Sequence, residues 1–179
     1  ELLATIENGE DFREVSGLAF LNDDGDLEKT KTRERVRKID QLHWPSWDEY
    51  PIENYLDRGF GFNVLRGRPM PLMATRGCPY QCTFCSSPQM WTTKWIARSV
   101  DCIIEEMQFY IDKYKVQNFD FYDLTTIVRK DWIVNFCREI IKKDWKITWQ
   151  MPAGTRSEAL DDETLGLMYL SGQTYISYA

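Results

Sequence analysis

The sequence predicts an α/β fold, namely the first four strand–helix units of a (β/α) barrel of the TIM type, preceded by a small β-hairpin and linker region. Three observations predict it. From Pro71 onward, short apolar runs alternate with amphipathic segments, each unit takes roughly 30 to 45 residues, and good capping residues precede the amphipathic segments. This alternation implies parallel strands joined by right-handed crossovers, and four strands are half of an eight-stranded barrel.

Local patterns place the individual elements. We expect four strands, at residues 72–75, 118–122, 147–151 and 174–178. Three helices alternate with them, each beginning after a residue that caps helices well, which are Ser99, Asp131 and Asp161. The first helix should run from Val100 to about Tyr114, because apolar residues recur there at helical spacing. Gly172 is placed to end the third helix.

The first third of the chain has a weaker pattern. Asn22–Gly25 is a turn cluster suited to a β-hairpin. Trp44–Pro51 is rich in proline and aromatic residues, so we interpret it as a connector that packs through its tryptophans. We divide the chain into residues 1–65, the tail of an upstream domain plus a linker, and residues 66–179, the first half of the barrel. We expect the chain to be an excerpt of a longer protein.

Composition excludes some classes of function. The formal net charge of the 179-residue chain is -6, which disfavours a protein whose main partner is nucleic acid. No run approaches the ~20 apolar residues of a membrane span, and the N-terminal residues do not resemble a signal peptide. We therefore predict a cytoplasmic protein. Five cysteines, three of them crowded together, do not suggest a disulfide framework.

The crowded cysteines are the main functional signal. Cys78, Cys82 and Cys85 have the spacing C-x3-C-x2-C, and three thiolates can hold three irons of a [4Fe–4S] cluster, leaving the fourth iron open to a small molecule. A structural zinc site is one alternative, but zinc usually takes paired ligands, and neither Cys102 nor Cys137 has a neighbouring partner. Three packing cysteines are the other alternative, although the loop lacks an apolar stripe.

The cysteine motif, with Phe84 as its aromatic residue, resembles the signature of the radical S-adenosylmethionine (radical SAM) superfamily. Within it, Thr75–Pro88 looks like the cobalamin-dependent branch, which includes methyltransferases and cyclases similar to magnesium-protoporphyrin ester cyclase. The resemblance implies a radical SAM core fold and an enzyme in which a reduced cluster cleaves S-adenosylmethionine to methionine and a 5′-deoxyadenosyl radical. It further implies that residues 1–65 are the tail of a cobalamin-binding-like domain, and that any cobalamin is bound mainly by residues outside this chain.

The resemblance also implies roles for single residues. Cys78, Cys82 and Cys85 would ligate the cluster, and Phe84 would lie near the adenine of S-adenosylmethionine. Asp123, after the second strand, would approach the cofactor's amino group, the alternative being a solvated loop carboxylate. We expect Asp120, by contrast, to face the helices.

Arg156, after the third strand, is the last candidate ligand. It would pair with the cofactor's carboxylate; the alternative is a salt bridge to Glu158 or Asp161. The histidine motif that ligates cobalt in many of these proteins is absent, and we expect His43 to be a surface or packing residue.

The sequence thus predicts a radical SAM enzyme that acts on a small-molecule substrate by methyl transfer or cyclisation and takes electrons from a low-potential donor such as flavodoxin or ferredoxin. Its catalytic residues, apart from those that bind cofactors, are unknown. Two rival functions remain open: a non-catalytic iron–sulfur electron-transfer module, and a zinc-stabilised interaction domain.

Overall fold

The structure, a computed structural model, describes residues 1–62 and 66–178. The chain forms two compact units, Glu1–Arg37 and Lys38–Ala179. The boundary predicted at residue 65 lies outside the described residues, as does residue 179, with which the predicted barrel half ends. In the described ranges, no helix has both the length and the apolar character that crossing a membrane requires.

The first unit contains helix α1 (Leu2–Glu7) and an antiparallel hairpin of β1 (Ala19–Leu21) and β2 (Leu27–Lys29). The Asn22 side chain accepts hydrogen bonds from the backbone N–H groups of Asp24 and Asp26. This local bonding is the reason that asparagine favours tight turns. The predicted hairpin is confirmed.

The second unit begins with a connector that packs through a tryptophan, as predicted. This connector, Trp44–Pro51, contains the 3₁₀ turn Trp47–Glu49; the 3₁₀ turn Ile39–Gln41 precedes it and helix α2 (Ile52–Asp57) follows it. The Trp47 indole N–H donates to the Tyr110 hydroxyl at 3.1 Å. The connector is therefore attached to the helix that carries Tyr110.

Four parallel strands form the central sheet of the second unit, in the spatial order β3 (Pro69–Leu72), β6 (Asn118–Phe121), β7 (Thr148–Thr155) and β8 (Gln173–Tyr178). The crossovers contain α4 (Val100–Tyr114), α5 (Lys130–Lys143) and α6 (Asp162–Leu170). Since strand order follows chain order and crossovers share one hand, the helices lie on one face of the sheet. The predicted α/β fold with a parallel sheet is confirmed, and its closure into a barrel stays a prediction.

Aromatic packing joins the sheet to its helices. The Phe136 ring on α5 lies 5.5 Å from Phe121 and 5.4 Å from Trp149, in edge-to-face contacts. All three side chains are buried. Edge-to-face rings at this distance add to the energy of burial, so this cluster is the centre of the apolar core.

Two of the predicted helix caps are confirmed. Ser99 accepts a hydrogen bond from the Cys102 backbone, and Asp161 accepts one from the Thr164 backbone. The cap predicted at Asp131 is wrong, because α5 begins at Lys130 and Asp131 pairs with the Arg129 side chain.

The first and third strands differ from the prediction in their bounds. β3 ends at Leu72, where the predicted strand began. The apolar residues after it leave the sheet, and Thr75–Arg76 (β4) pairs instead with Ile96–Ala97 (β5) in a small antiparallel hairpin. β7 continues to Thr155, four residues beyond the predicted Met151.

Candidate functional site

The cysteine loop, residues 77–86, lies between the two strands of the β4–β5 hairpin and is followed by a short helix, α3 (Ser87–Trp91). Gly77 enters it with φ +84°, a conformation that side-chain-bearing residues rarely adopt. Within the loop, the Cys85 N–H donates to the Cys82 carbonyl at 3.0 Å. The hairpin therefore brings the residue before the loop, Arg76, next to Ile96, so that the loop and α3 together form the connection between its two strands.

The three cysteines of the loop are free thiols; Cys78 and Cys82 are half-buried and Cys85 is exposed. The Cys85 sulfur accepts a hydrogen bond from the Ser87 backbone at 3.4 Å. Hydrogen bonds from the Ser87 hydroxyl and backbone lower the pKa of the Cys85 thiol. A lowered pKa favours the thiolate, which is the form that ligates metals.

The thiols do not form a preassembled metal centre. Within residues 1–62 and 66–178, no three histidine, cysteine or carboxylate side chains converge closely enough to hold a metal ion. The donor set nevertheless fits an iron–sulfur cluster in its chemistry, since three free thiols share one loop outside the sheet. A bound cluster would draw together sulfurs that the fold already brings to one loop.

Phe84 is 92% exposed, the largest exposure among the exposed large apolar side chains of the described residues. A single exposed apolar side chain is ordinary on a protein surface, so this exposure leaves the ring accessible to a ligand but does not by itself mark a ligand site. The prediction that this ring lies near an adenine is compatible with its exposure and remains a prediction.

Asp123 follows β6 and is buried, so the alternative of a solvated loop carboxylate is wrong. Its carboxylate accepts hydrogen bonds from the backbone N–H groups of Ala74 and Thr75 and from the Thr75 hydroxyl, the last at 2.6 Å. Burial raises the pKa of Asp123 to about 6, against the opposing effect of these hydrogen bonds. Asp123 therefore anchors the chain where it enters the cysteine loop.

Asp120 lies on the sheet face opposite the helices, so its predicted orientation is wrong. Phe119 and Phe121 occupy the helix side, and period-two alternation places Asp120 on the other face. There its carboxylate accepts hydrogen bonds from the side chains of Asn118 and Gln150, both at 2.6 Å. The prediction assigned Asp120 to the face opposite that of Asp123. Asp123 lies beyond the end of the strand, where the alternation of side chains no longer applies.

Arg156 follows the last residue of β7 and contacts the cysteine loop. Its guanidinium carbon lies 4.3 Å from the centroid of the Tyr80 ring, and its Nη2 lies 2.6 Å from the Glu158 carboxylate. The ion pair with Glu158 was the alternative reading of this residue, whereas Asp161 pairs with Lys130. The stacking on Tyr80 was not foreseen from the sequence.

A buried ion pair between Arg98 and Glu106 was also missed. Arg98 follows β5 and donates from its side chain to the Met73 carbonyl at 3.1 Å, and from its backbone to the Ala74 carbonyl at 2.9 Å. Glu106 on α4 also accepts a 2.6 Å hydrogen bond from Tyr110. The sequence contained a sign of this ion pair, because Glu106 interrupts the apolar face of α4.

A cavity of about 290 Å³ opens near the carboxyl end of β3. The connector and the strand ends supply its lining, which includes His43, Trp44, Trp47, Arg76 and Tyr122. His43 was expected to be a surface or packing residue, and it lies in the wall of this cavity. In parallel α/β sheets, ligands bind at the carboxyl ends of the strands, so the position is suitable for one.

The site and the fold together define a class of protein: a parallel α/β sheet with three free cysteines on the loop that follows its first strand. The Radical SAM superfamily model matches residues 72–177, more than half of the chain and the whole of the cysteine loop. The chain therefore belongs to the radical SAM superfamily, whose enzymes use a [4Fe–4S] cluster and S-adenosylmethionine.

Curated relatives narrow the comparison. The chain is 30% identical to cytidylyl-2-hydroxyethylphosphonate methyltransferase of Streptomyces wedmorensis, over 79% of this chain and 27% of the relative. It is 28% identical to anaerobic magnesium-protoporphyrin IX monomethyl ester cyclase of Cereibacter sphaeroides, over 92% of this chain and 26% of the relative. The chain thus spans less than a third of the length of these relatives.

A solved structure has the same fold at low sequence identity. The chain superimposes on the cobalamin-dependent S-adenosylmethionine radical enzyme OxsB, solved with aqua-cobalamin and S-adenosylmethionine, with a TM-score of 0.74. The match has 20% identity and covers 97% of this chain and 25% of OxsB. This similarity supports the fold of both units described above.

Proposed function

We propose that the protein is a radical SAM enzyme in which Cys78, Cys82 and Cys85 hold a [4Fe–4S] cluster with one open iron. When bound, the cluster supplies the electron that cleaves S-adenosylmethionine to methionine and a 5′-deoxyadenosyl radical. The observation that carries the proposal is the set of three free thiols on one loop, in the connection between the first two strands of the parallel sheet and within the part of the chain that matches this family.

Residues around the loop prepare it for the cofactors. Asp123 and Arg98 both form hydrogen bonds with residues 73–75, so the position of the chain is fixed just before the loop. Phe84 offers an open ring face to the adenine. Asp123 and Arg156 were predicted to touch S-adenosylmethionine directly. The contacts of Asp123 with residues before the loop and of Arg156 with Tyr80 inside it favour a positioning role for both.

The wider reaction is proposed from the relatives. Their names include methyltransferases and a cyclase, and OxsB was solved with cobalamin. We therefore favour cobalamin-dependent methyl transfer or cyclisation of a small molecule, with cobalamin held mainly by residues outside this chain. A cytoplasmic location and a flavodoxin or ferredoxin as electron donor complete the proposal.

The test uses the full-length protein, purified and reconstituted with iron and sulfide under strict anaerobic conditions. We expect roughly four irons per chain and formation of 5′-deoxyadenosine when a reductant and S-adenosylmethionine are added. Cys82→Ala should lose both. Cys137→Ala is the matched control, because this thiol is buried on α5 outside the loop, and it should keep both.

The same experiment separates the rival functions. A cluster that forms without binding S-adenosylmethionine would indicate an electron-transfer module. Stoichiometric zinc in place of iron would indicate a zinc-stabilised domain. Formation of 5′-deoxyadenosine by a variant lacking all three cysteines would overturn the mechanism.

A further inference from the structure

We propose that Tyr80 is a positioning residue of the cysteine loop. Stacked against Arg156, it holds the Cys78–Cys82 half of the loop against the carboxyl end of β7, which keeps the three thiols within reach of one cluster. The inference rests on the proposed function, because it takes the cluster as the ligand of the loop.

The contact has the geometry of a cation–π interaction. The guanidinium carbon of Arg156 lies 4.3 Å from the centre of the Tyr80 ring, well inside the distance at which a guanidinium is attracted to an aromatic face. Glu158 accepts from the same guanidinium at 2.6 Å. A planar guanidinium can bind a carboxylate through its edge and stack through its face, so Glu158 helps to hold the cation over the ring.

Arg156 is joined to the sheet through its neighbour in the chain. Arg156 directly follows Thr155, which is buried, pairs with Tyr178 of β8 and bonds through its hydroxyl to the Ile127 backbone N–H at 3.2 Å. A side chain held next to such a residue can restrain the loop that it touches. The loop itself lies outside the sheet, and its entry is held through Asp123 and Arg98, before the first cysteine.

Tyr80 therefore supplies a contact to the sheet at the middle of the C-x3-C spacing, between Cys78 and Cys82. The charge of Arg156 is paired with Glu158, so the effect on the loop comes from the contact with the ring. This contact predicts tighter retention of the cluster, and it depends on the aromatic ring and the cation together. The Tyr80 hydroxyl plays no part in it.

The experiment uses the full-length protein, reconstituted anaerobically, with Tyr80→Ala, Arg156→Gln, the double variant and Tyr80→Phe. The measured quantities are the rate at which a chelator removes iron and, in the apo protein, hydrogen exchange of residues 78–85. We expect each single substitution to speed iron loss by about fivefold, and the double variant to match a single one, since both remove the same contact. Tyr80→Phe should stay within about twofold of the wild type, because phenylalanine keeps the ring.

Two controls make the result specific. Arg138→Gln removes an arginine that pairs with Glu163 on the surface, and Tyr169→Ala removes an exposed tyrosine; neither should change iron loss. Additive effects in the double variant, damage by Tyr80→Phe equal to that by Tyr80→Ala, or a matching acceleration of global unfolding would each overturn the inference. A wild-type protein that retains no iron would instead overturn the proposed function.

Discussion

The helix-packed face of the sheet and the cysteine loop differ in how deeply their side chains are buried and in what holds them in place. In the core, Phe136 and Trp149 are fully buried against each other. In the loop, Phe84 is 92% exposed and Cys85 is open to solvent. The core is held by its own packing, whereas the loop is held by side chains that belong to neighbouring elements. Stability and chemistry therefore depend on different residues, and substitutions should separate them.

The largest effect should come from the core. Phe136→Ala removes a ring that contacts Phe121, Trp132 and Trp149, so we expect the free energy of unfolding to fall by about 3–5 kcal/mol. Denaturant unfolding of the full-length protein measures it. Tyr169→Ala, at an exposed position, should change it by less than about 0.5 kcal/mol. Similar values for the two variants would contradict the position assigned to the core.

Arg98→Gln should lower the free energy of unfolding nearly as much as Phe136→Ala, because it leaves Glu106 buried without its cation. Breaking a buried pair in this way costs about 3 kcal/mol. It also removes the side-chain donor to the Met73 carbonyl, so iron loss should accelerate as well. Adding Glu106→Gln should recover much of the unfolding free energy, since no unpaired charge remains. A double variant as unstable as Arg98→Gln would show that the charge is not the cause.

Two glycines with the same backbone conformation allow a direct comparison of the cysteine loop with the turn of the β1–β2 hairpin. Gly77 has φ +84° and Gly25 has φ +83°, so alanine at either position meets the same backbone strain, about 1–2 kcal/mol. We expect both substitutions to lower the free energy of unfolding of their own region by similar amounts. Only Gly77→Ala should speed iron loss to a chelator. Equal iron loss in both variants would mean that the loop entry has no special role.

The smallest effect is a pH dependence at Asp123. Because its pKa is about 6 in the folded chain and about 4 when unfolded, folding favours the protonated form. This contribution to stability is present at low pH and is lost as the pH rises through about 6.

Between about pH 5 and about pH 7.5, the unfolding free energy should therefore fall by about 1 kcal/mol from this group. Asp123→Asn should lack that part of the slope, although its amide also disturbs the hydrogen bonds to Ala74 and Thr75. Urea unfolding of both proteins across this range measures the difference. Parallel slopes would show that Asp123 has an ordinary pKa.

Much of the architecture was predictable from local patterns. Helix α4 has the predicted bounds and cap, because Ser99 and the apolar spacing both specify them. The three cysteines were predicted as a set from their spacing, and the structure has all three as free thiols on one loop; that they ligate a cluster stays a prediction. The end of β3 was not, because Met73–Thr75 is apolar enough for a strand, and hydrogen bonds to Asp123, a distant residue in sequence, draw Ala74 and Thr75 away.

The sequence did not predict the contacts in the site that join residues far apart along the chain. Tyr80 and Arg156 lie 76 positions apart in the sequence, and no local pattern connects them. The predicted contact of Asp123 with S-adenosylmethionine stays a prediction. Its hydrogen bonds to Ala74 and Thr75 were not foreseen, since burial of a carboxylate after a strand depends on how the neighbouring loop folds over it. Tertiary contacts of this kind require the fold before they can be seen.

The most direct test of the central claim is electron paramagnetic resonance of the reduced full-length protein, reconstituted without oxygen, before and after adding S-adenosylmethionine. We expect the signal of a reduced [4Fe–4S] cluster, changed in shape by S-adenosylmethionine because the cofactor binds the open iron. No iron–sulfur signal, or a signal that S-adenosylmethionine leaves unchanged, would contradict the claim that Cys78, Cys82 and Cys85 hold a cluster with one iron free for this cofactor.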